Sequence, residues 1–386
     1  MERDKTITRV IIQQPSLPGY RIPLFQRLAA QQGIELCVYY SDSNKTLENA
    51  EPEGLDTHCV PMWVKNIGRR KVKWHGAQWN GAKKGSCDVL VLSWDAQYLS
   101  LIPALLRARF NRIKTILWGH GYSKCESPVR KTIRDTIGRL ADGLLFYDAN
   151  TARSFLSAGW SKERIYTAPN SLDQADIQCA RQWWQDRPEQ LKAFQTEHGL
   201  RGGKNIIYIG RIYEENRLDI LIQALQKVKH KLPDVQLLVI GNVNETAREL
   251  QQLAVAHGVT DCIRWLGPVY AEERIAPFML SSQLFCYPAN IGLSIMHAMG
   301  YGLPVVTGDH IASHNPEIHV LCNGENGCLY RHLDVDDLEA KLSSLLNFPG
   351  KTLEMGSCAR ESVLRDFTIQ KMADGFLEAI RSVVQD

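Results

Sequence analysis

The segment Pro288-Ala-Asn-Ile-Gly-Leu-Ser-Ile-Met-His-Ala-Met-Gly-Tyr-Gly-Leu-Pro-Val-Val306 limits the fold more than any other part of the chain. It reads as a buried strand end at Leu284–Tyr287, a tight loop at Pro288–Gly292, a helix, and a second buried strand at Pro304–Thr307. That is a unit of a parallel α/β sheet. A loop that enters a helix through glycine leaves several backbone N–H groups unpaired, and with the helix dipole they form a site for phosphate. Any αβ unit of a doubly wound sheet also needs a glycine turn, so the segment alone leaves both readings open. A second element favours the phosphate. In Ile206-Ile-Tyr-Ile-Gly-Arg211 a strand delivers an arginine at its C-terminal end, where ligands of open α/β sheets bind. One donor-rich helix start and one arginine would together clamp a diphosphate.

Apolar, β-branched runs alternate with amphipathic stretches along the whole chain, which predicts βα units. Strands are expected at Arg9–Gln13, Ile34–Tyr40, Val89–Ser93, Thr115–Trp118, Leu144–Tyr147 and Ile165–Ala168, with helices at Pro23–Gln31 and Pro128–Leu140. The polar segment 174–204, ending Gly202-Gly-Lys204, predicts a helix and then a linker. A second set of strands follows at Asn205–Gly210, Gln236–Ile240, Ile263–Leu266, Leu284–Tyr287, Pro304–Thr307 and Gly327–Tyr330. Two helices, Asp336–Leu346 and Met372–Val384, close the chain. At 386 residues this suits two domains, expected over 1–185 and 200–365, with 366–386 a helix returning to the first.

No apolar run approaches the roughly 20 residues needed to cross a bilayer. The start, Met1-Glu-Arg-Asp-Lys5, is polar and runs straight into a strand, unlike a secretory signal. The ten cysteines are scattered singly, and the closest pair, Cys322 and Cys328, lacks partners at metal-ligand spacing. Reduced thiols in a cytoplasmic protein and no metal site are expected. The net charge of +3 is unevenly divided. Residues 1–170 hold 25 Lys and Arg against 15 Asp and Glu, and the remainder holds 20 against 27. The two halves are therefore expected to meet different partners.

The ordered series Pro15-x-x-Pro-Gly-Tyr-Arg21, Trp118-Gly-His-Gly121, Ala168-Pro-Asn-Ser-Leu-Asp173, Gly210-Arg211, Leu218-Asp-Ile-Leu-Ile222, Val239-Ile-Gly241, Trp265-Leu-Gly267, Gly302-Leu-Pro-Val-Val306 and Pro316-Glu317…Glu325-Asn-Gly327 resembles glycosyltransferase family 4. The resemblance covers nearly the whole chain. It implies the GT-B fold: two doubly wound Rossmann-like domains facing across a cleft, the first for acceptor and the second for nucleotide-sugar. It also implies retaining, metal-independent transfer without a cofactor. Two departures stand out. The family carries two glutamates with seven residues between them across the strand–helix turn, and here Ala289 and His297 occupy those positions. A family lysine after the Gly-Arg is replaced by Asn216, with Arg217 next to it.

The resemblance implies a donor site of Asn216, Gly267, Tyr270, Ala289, Asn290, Ile291, Gly292, Leu293, Ser294, His297 and Glu317. The amides of Gly292, Leu293 and Ser294 would hold the distal phosphate, Gly267 to Tyr270 would line the nucleobase pocket, and Glu317 would stand behind the diphosphate loop. His297 would bond a ribose hydroxyl, and the backbone at Ala289 and Asn290 would reach the sugar. Arg211 would bind phosphate oxygens bidentately, or pair with Glu214. Arg217 would replace the lost lysine charge, or be a solvated helix-start cation. His120 would lie against the donor sugar, or satisfy a local hydrogen bond. Gly19, Tyr20 and Arg21 would face the acceptor. A cation at a helix start opposes the dipole, so Arg21 points to an anionic acceptor group or a nearby carboxylate.

Two basic regions remain. Lys65-Asn-Ile-Gly-Arg-Arg-Lys-Val-Lys-Trp-His75, with Trp79, Lys83 and Lys84, interleaves cations with aromatics. Pro128–Leu140 places Val129, Ile133, Ile137 and Leu140 on one helical face, expected to pack, and arginines on another. An anionic membrane surface suits a basic first half, whereas nucleic acid does not: no binding module is present and the overall charge is low. The expectation is a cytoplasmic enzyme, peripheral on the inner face of the membrane. It would transfer a sugar to a hydroxyl of a lipid-linked or oligosaccharide acceptor in bacterial surface-glycan assembly. The alternatives are a sugar-nucleotide epimerase on the same fold and a non-catalytic glycan-binding or activating subunit.

Overall fold

A computed structural model gives the structure of the chain and describes residues 7–42, 49–68, 70–122, 127–200 and 204–385. The polar start Met1–Lys5, Arg69 and the linker glycines Gly202 and Gly203 lie outside the described residues. The chain divides into two compact units. The first comprises 1–170 with 369–386, and the second 171–368.

The first unit contains β1 (Thr8–Gln13), α1 (Ile22–Ala29), β2 (Ile34–Tyr40), β3 (Asp56–Cys59), β4 (Met62–Ile67), β5 (Arg70–His75), α2 (Gly76–Gly81) and β6 (Val89–Ser93). It continues through α3 (Leu101–Phe110), β7 (Lys114–Gly119), α4 (Pro128–Leu140), β8 (Gly143–Phe146), α5 (Ala149–Ser157) and β9 (Ile165–Thr167). Seven strands form one parallel sheet in the order β3-β2-β1-β6-β7-β8-β9. Both faces of such a sheet are covered, so its central strands read as unbroken apolar runs: Val89 to Leu92 and Gly143 to Phe146 are all buried. One face packs α1 against Ile12, Val38 and Val91. The other packs α3, α4 and α5 against Leu90, Leu92 and Leu117. Helix α5 starts where the Asp148 carboxylate accepts from the Thr151 amide at 2.8 Å.

Strands β4 and β5 form a separate antiparallel hairpin, which the sequence reading did not anticipate. Helix α4 also differs from expectation. Ile137 is buried, but Val129 and Ile133 face solvent.

The second unit opens with α6 (Ala175–Gln185) and α7 (Pro188–Glu197), where one helix and a linker were expected. Ile177 and Ala180 join the core of this unit, and Trp184 Nε1 donates to the Glu273 carbonyl at 3.1 Å. The boundary therefore falls at 170/171, not after 185, because α6 buries its apolar side against the second unit. There follow β10 (Asn205–Ile209), α8 (Leu218–Lys231), β11 (Gln236–Ile240), α9 (Glu245–Ala256), β12 (Ile263–Gly267), α10 (Glu272–Leu280) and β13 (Leu284–Cys286). Then come α11 (Ser294–Gly300), β14 (Val305–Gly308), β15 (Gly327–Tyr330), α12 (Val335–Asn347) and α13 (Pro349–Asp366). The parallel sheet runs β12-β11-β10-β13-β14-β15. Its strand order reverses between β10 and β13, and ligands of doubly wound sheets bind outside the carboxyl ends at that point. Helix α13 was not expected; glycines hide it, and one of them is structural. A Cβ on Gly356 would sit 2.1 Å from the Gly302 carbonyl oxygen. Finally, α14 (Ile369–Gln385) packs into the first unit, burying Met372, Phe376 and Ile380.

Candidate functional site

The carboxyl ends of β10 and β13 release two loops, Gly210–Arg217 and Pro288–Leu293, and one buried side chain ties them together. Asn216 is 2% exposed. Its Nδ2 donates to the Arg211 carbonyl at 2.6 Å and to the Tyr208 hydroxyl at 3.2 Å, while its Oδ1 accepts from Asn290 Nδ2 at 2.9 Å. The Tyr208 ring stacks on Tyr287 at 4.6 Å, and its hydroxyl donates to the same Arg211 carbonyl at 2.8 Å. The glycines of Gly210-Arg211 and Val239-Ile-Gly241 make this possible. A Cβ on Gly241 would come 2.4 Å from the Gly210 carbonyl oxygen.

The β13 loop is held from behind. Thr307 Oγ1 donates to the Tyr287 carbonyl at 2.6 Å; the Tyr330 hydroxyl and the Gly308 amide donate to the Pro288 carbonyl at 3.1 and 3.0 Å. His314, fully buried, accepts from the Ile291 amide through Nδ1 at 3.1 Å and donates through Nε2 to the Gly308 carbonyl at 2.8 Å. Glu317 is buried one turn further on. Asn290, with φ 59°, turns the chain toward α11, a conformation asparagine tolerates. Beyond it the amides of Gly292, Leu293 and Ser294 have no acceptor among the described residues, nor has the Ser294 hydroxyl. Three successive donors on a loop fixed from behind make a preorganised anion cradle.

Several expected roles are revised. Asn216 serves as the tie between loops, its polar atoms consumed inside the protein rather than offered to a donor. The Ala289 amide donates to the Asn216 carbonyl at 3.2 Å, which leaves the carbonyl as the group its backbone could offer a sugar. His297 Nε2 lies 2.9 Å from Glu272 Oε1, which also accepts from the Tyr301 hydroxyl at 2.5 Å. These partners hold the Glu272 carboxyl below its ordinary range despite burial. His297 is thus anchored through Nε2 to a carboxylate 25 residues upstream, which leaves Nδ1 as the ring atom for any ribose contact. Arg217 (φ 55°) forms a two-pronged pair with Asp219 at 2.9 and 2.8 Å, which absorbs the charge expected to replace the family lysine.

Arg211 behaves differently. Its guanidinium lies over the Tyr213 ring at 5.3 Å, is exposed, and has no carboxylate within ion-pair distance among the described residues. The expected alternative pairing with Glu214 does not form. Gly267 (φ 70°) lies at the end of β12, with its carbonyl accepting from the Gly241 amide. Tyr270 projects an 81% exposed ring whose hydroxyl donates to Asn242.

In the first unit, Arg21 is 7% exposed. Its guanidinium sits 5.0 to 5.7 Å from the ring centres of Trp118, Tyr20 and Tyr147, and donates to Asn170 Oδ1 at 2.7 Å. An aromatic cage, not a carboxylate, holds this cation. Gly19 opens a single 3₁₀ turn over Gly19–Arg21. His120 is exposed at the end of β7, its ring 4.9 Å from that of Tyr147. Sequence reasoning missed Glu272, His314, Tyr208 and Thr307, whose partners are distant in sequence and leave no local pattern. It also missed Cys37, Asp56 and His58. These align across β2 and β3 with ligand atoms within 4.8 Å of one another, the one group among the described residues able to hold a metal ion.

Residues 203–347, which include the whole switch-point arrangement, match a family model described as Glycosyl transferases group 1. The chain is similar to a GDP-mannose-dependent alpha-(1-6)-phosphatidylinositol monomannoside mannosyltransferase of Mycolicibacterium smegmatis, at 25% identity over 68% of each chain. It is similar at 22% identity, over 95% of each chain, to a GDP-mannose-dependent monoacylated alpha-(1-6)-phosphatidylinositol monomannoside mannosyltransferase of Corynebacterium glutamicum. Among solved structures, Anabaena Alr3699/HepE in complex with UDP matches with a TM-score of 0.73 at 15% identity, over 97% of this chain and all of that one. The fold is GT-B, and the chain is a glycosyltransferase.

Proposed function

We propose that this chain is a family 4 glycosyltransferase that moves a sugar, with retention, from a nucleoside-diphosphate donor to a hydroxyl of a lipid-linked acceptor at the cytoplasmic membrane surface. The observation that carries the reading is the anion cradle of Gly292, Leu293 and Ser294 at the switch point, on a loop tied to the one that presents the unpaired Arg211. Transfer requires stabilising the departing diphosphate, which is mostly electrostatic work by donors already in place. The amides and the Ser294 hydroxyl would hold the distal phosphate, and Arg211 would neutralise the charge that develops as the glycosidic bond breaks. The diphosphate oxygen would take the acceptor's proton on the same face of the sugar, so no enzymic base is needed. His120 would orient the sugar, and Tyr270 would border the base. The names of both curated relatives, with GDP-mannose and phosphatidylinositol mannosides, support a nucleotide-sugar and a lipid-borne hydroxyl, in surface-glycan assembly.

The test is thermal unfolding with GDP, UDP, dTDP and ADP, each with EDTA present. A nucleotide at 100 times its dissociation constant should add about 2.7 kcal/mol of stability. One selective shift that survives EDTA names the base and supports metal-free binding; no shift with any nucleotide refutes the donor site. Arg211→Ala should abolish most of that shift and lower transfer about 100-fold or more, on the order of 3 kcal/mol of leaving-group stabilisation. Conversion of the nucleotide-sugar without any acceptor would favour an epimerase instead.

A further inference from the structure

In the first unit, helix α3 carries two apolar faces where a surface helix normally has one. Leu101, Ala104, Leu105 and Ala108 pack inward under the sheet. Ile102, Leu106 and Phe110, at four-residue spacing, point outward, and Phe110 is 88% exposed. The hairpin β4–β5 and α2 extend this outer stripe. Trp63 faces Trp74 across the hairpin, both exposed, and Trp74 lies 6.5 Å from the exposed Trp79 of α2. Arg107 of α3 stands 4.2 Å over the Trp79 ring and donates to the Trp79 carbonyl at 3.2 Å, which joins α3 to α2. The turn that leads into α3 is tied to the hairpin: the Leu99 amide donates to the Lys73 carbonyl at 2.8 Å.

The charge on this stretch is one-sided. Residues 61–114 hold 11 Lys and Arg and only two acids, Asp88 and Asp95. Both acids are already paired, Asp88 with Arg9 and Asp95 with Lys73, each at 3.1 Å. Lys65, Lys71, Lys83 and Lys84 are exposed around the tryptophans. Exposed tryptophans and a leucine–phenylalanine stripe ringed by cations match an interface with apolar depth and anionic headgroups. A nucleic-acid groove has no use for an aliphatic stripe, and a protein partner would need acids that a second copy of this face does not supply.

We infer that the surface formed by β4, β5, α2 and the outer side of α3 docks on an anionic lipid bilayer, inserting Trp63, Trp74, Trp79, Leu106 and Phe110 to the headgroup level. The inference rests on the lipid-acceptor reading for its purpose, but its physical test is independent of it. Flotation of the full chain with phosphatidylglycerol-containing vesicles, against pure phosphatidylcholine vesicles, measures it directly. Wild-type protein should bind the anionic vesicles at least tenfold better, since each basic residue near such a surface contributes about fivefold. Binding should weaken as salt is raised. The double variant Leu106→Glu with Phe110→Glu should lose about tenfold or more in partitioning, and Trp74→Ala a smaller share. Both variants should keep the nucleotide-induced thermal shift, which shows that they fold and leaves the donor-site reading intact. Three results would overturn the inference: no vesicle binding by the wild type, equal binding by the double variant, or a wild-type dimer that the double variant converts to monomer without any lipid effect.

Discussion

Asn216→Asp is the sharpest probe of how the site is built, because it changes two atoms' chemistry and almost no volume. The native Nδ2 donates to the Arg211 carbonyl and the Tyr208 hydroxyl, at 2.6 and 3.2 Å. A carboxylate oxygen in its place removes both bonds, worth about 1 kcal/mol each. It also sets a buried negative oxygen against a carbonyl oxygen, which adds about 1–2 kcal/mol. The expected loss is therefore about 3–4 kcal/mol in the unfolding of the second unit at pH 7.5. The sign with pH follows from burial. The new carboxyl titrates higher in the folded chain than its unfolded value of about 3.9, so the penalty grows as pH rises above that value, by up to ~1.4 kcal/mol per unit. At pH 4.5 the protonated carboxyl can again donate to the Arg211 carbonyl, and the loss should shrink to about 1–2 kcal/mol. Urea unfolding at both pH values, resolved into the transitions of the two units, measures the difference from wild type. A loss below about 1 kcal/mol at pH 7.5, or one that does not change with pH, would refute the claim that this amide holds the two loops together.

Further outcomes concern titrating groups elsewhere. His75 is fully buried, donating to the Gln14 carbonyl, and burial pushes its pKa down to about 4. Its folded value lies below the unfolded one of about 6.5, so the first unit should lose about 1.4 kcal/mol of stability per pH unit as pH falls between them. His75→Asn should flatten that slope in acid-titrated urea curves; an unchanged slope would clear His75 of the effect. Glu272, held low by His297 and Tyr301, contributes stability that is present above about pH 4.5 and lost as pH falls through its lower folded value. Glu272→Gln should cost about 1–2 kcal/mol at pH 7 and remove that acid-dependent loss from the second unit's transition, since charge-assisted bonds become neutral ones.

The sequence made the two sheets legible because parallel strands buried on both faces are continuous apolar runs. Ile34–Tyr40, Val89–Ser93, Gln236–Ile240 and Gly327–Tyr330 appear with their expected limits. The hairpin β4–β5 stayed hidden because cations crowd the stretch from Lys65 to Lys73 and break up its apolar pattern, and α6 and α7 because a polar, tryptophan-rich segment resembles a linker. At the site, the glycine turn and the strand-end arginine were visible as local patterns. The use made of Asn216, Ala289 and His297 was not, since each is decided by a partner from another loop or helix: Asn290, Asn216 and Glu272. A motif locates a loop, but the residues packed behind it decide which atoms still face outward.

The return of α14 to the first unit has a consequence for how the molecule is made. Met372, Phe376, Ile380 and Val383 complete the apolar layer under Ile12, Val91 and Trp118, so that face has only α1 as cover until residue 383 has left the ribosome. The second unit, by contrast, is one uninterrupted stretch from 171 to 368. Synthesis order and completion order are therefore opposite: the half translated first has to wait, with a sheet face half covered, while the half translated second can close around itself. The exposed interval spans the whole of the inserted unit. During it, the newborn first unit is the species that needs shelter from aggregation.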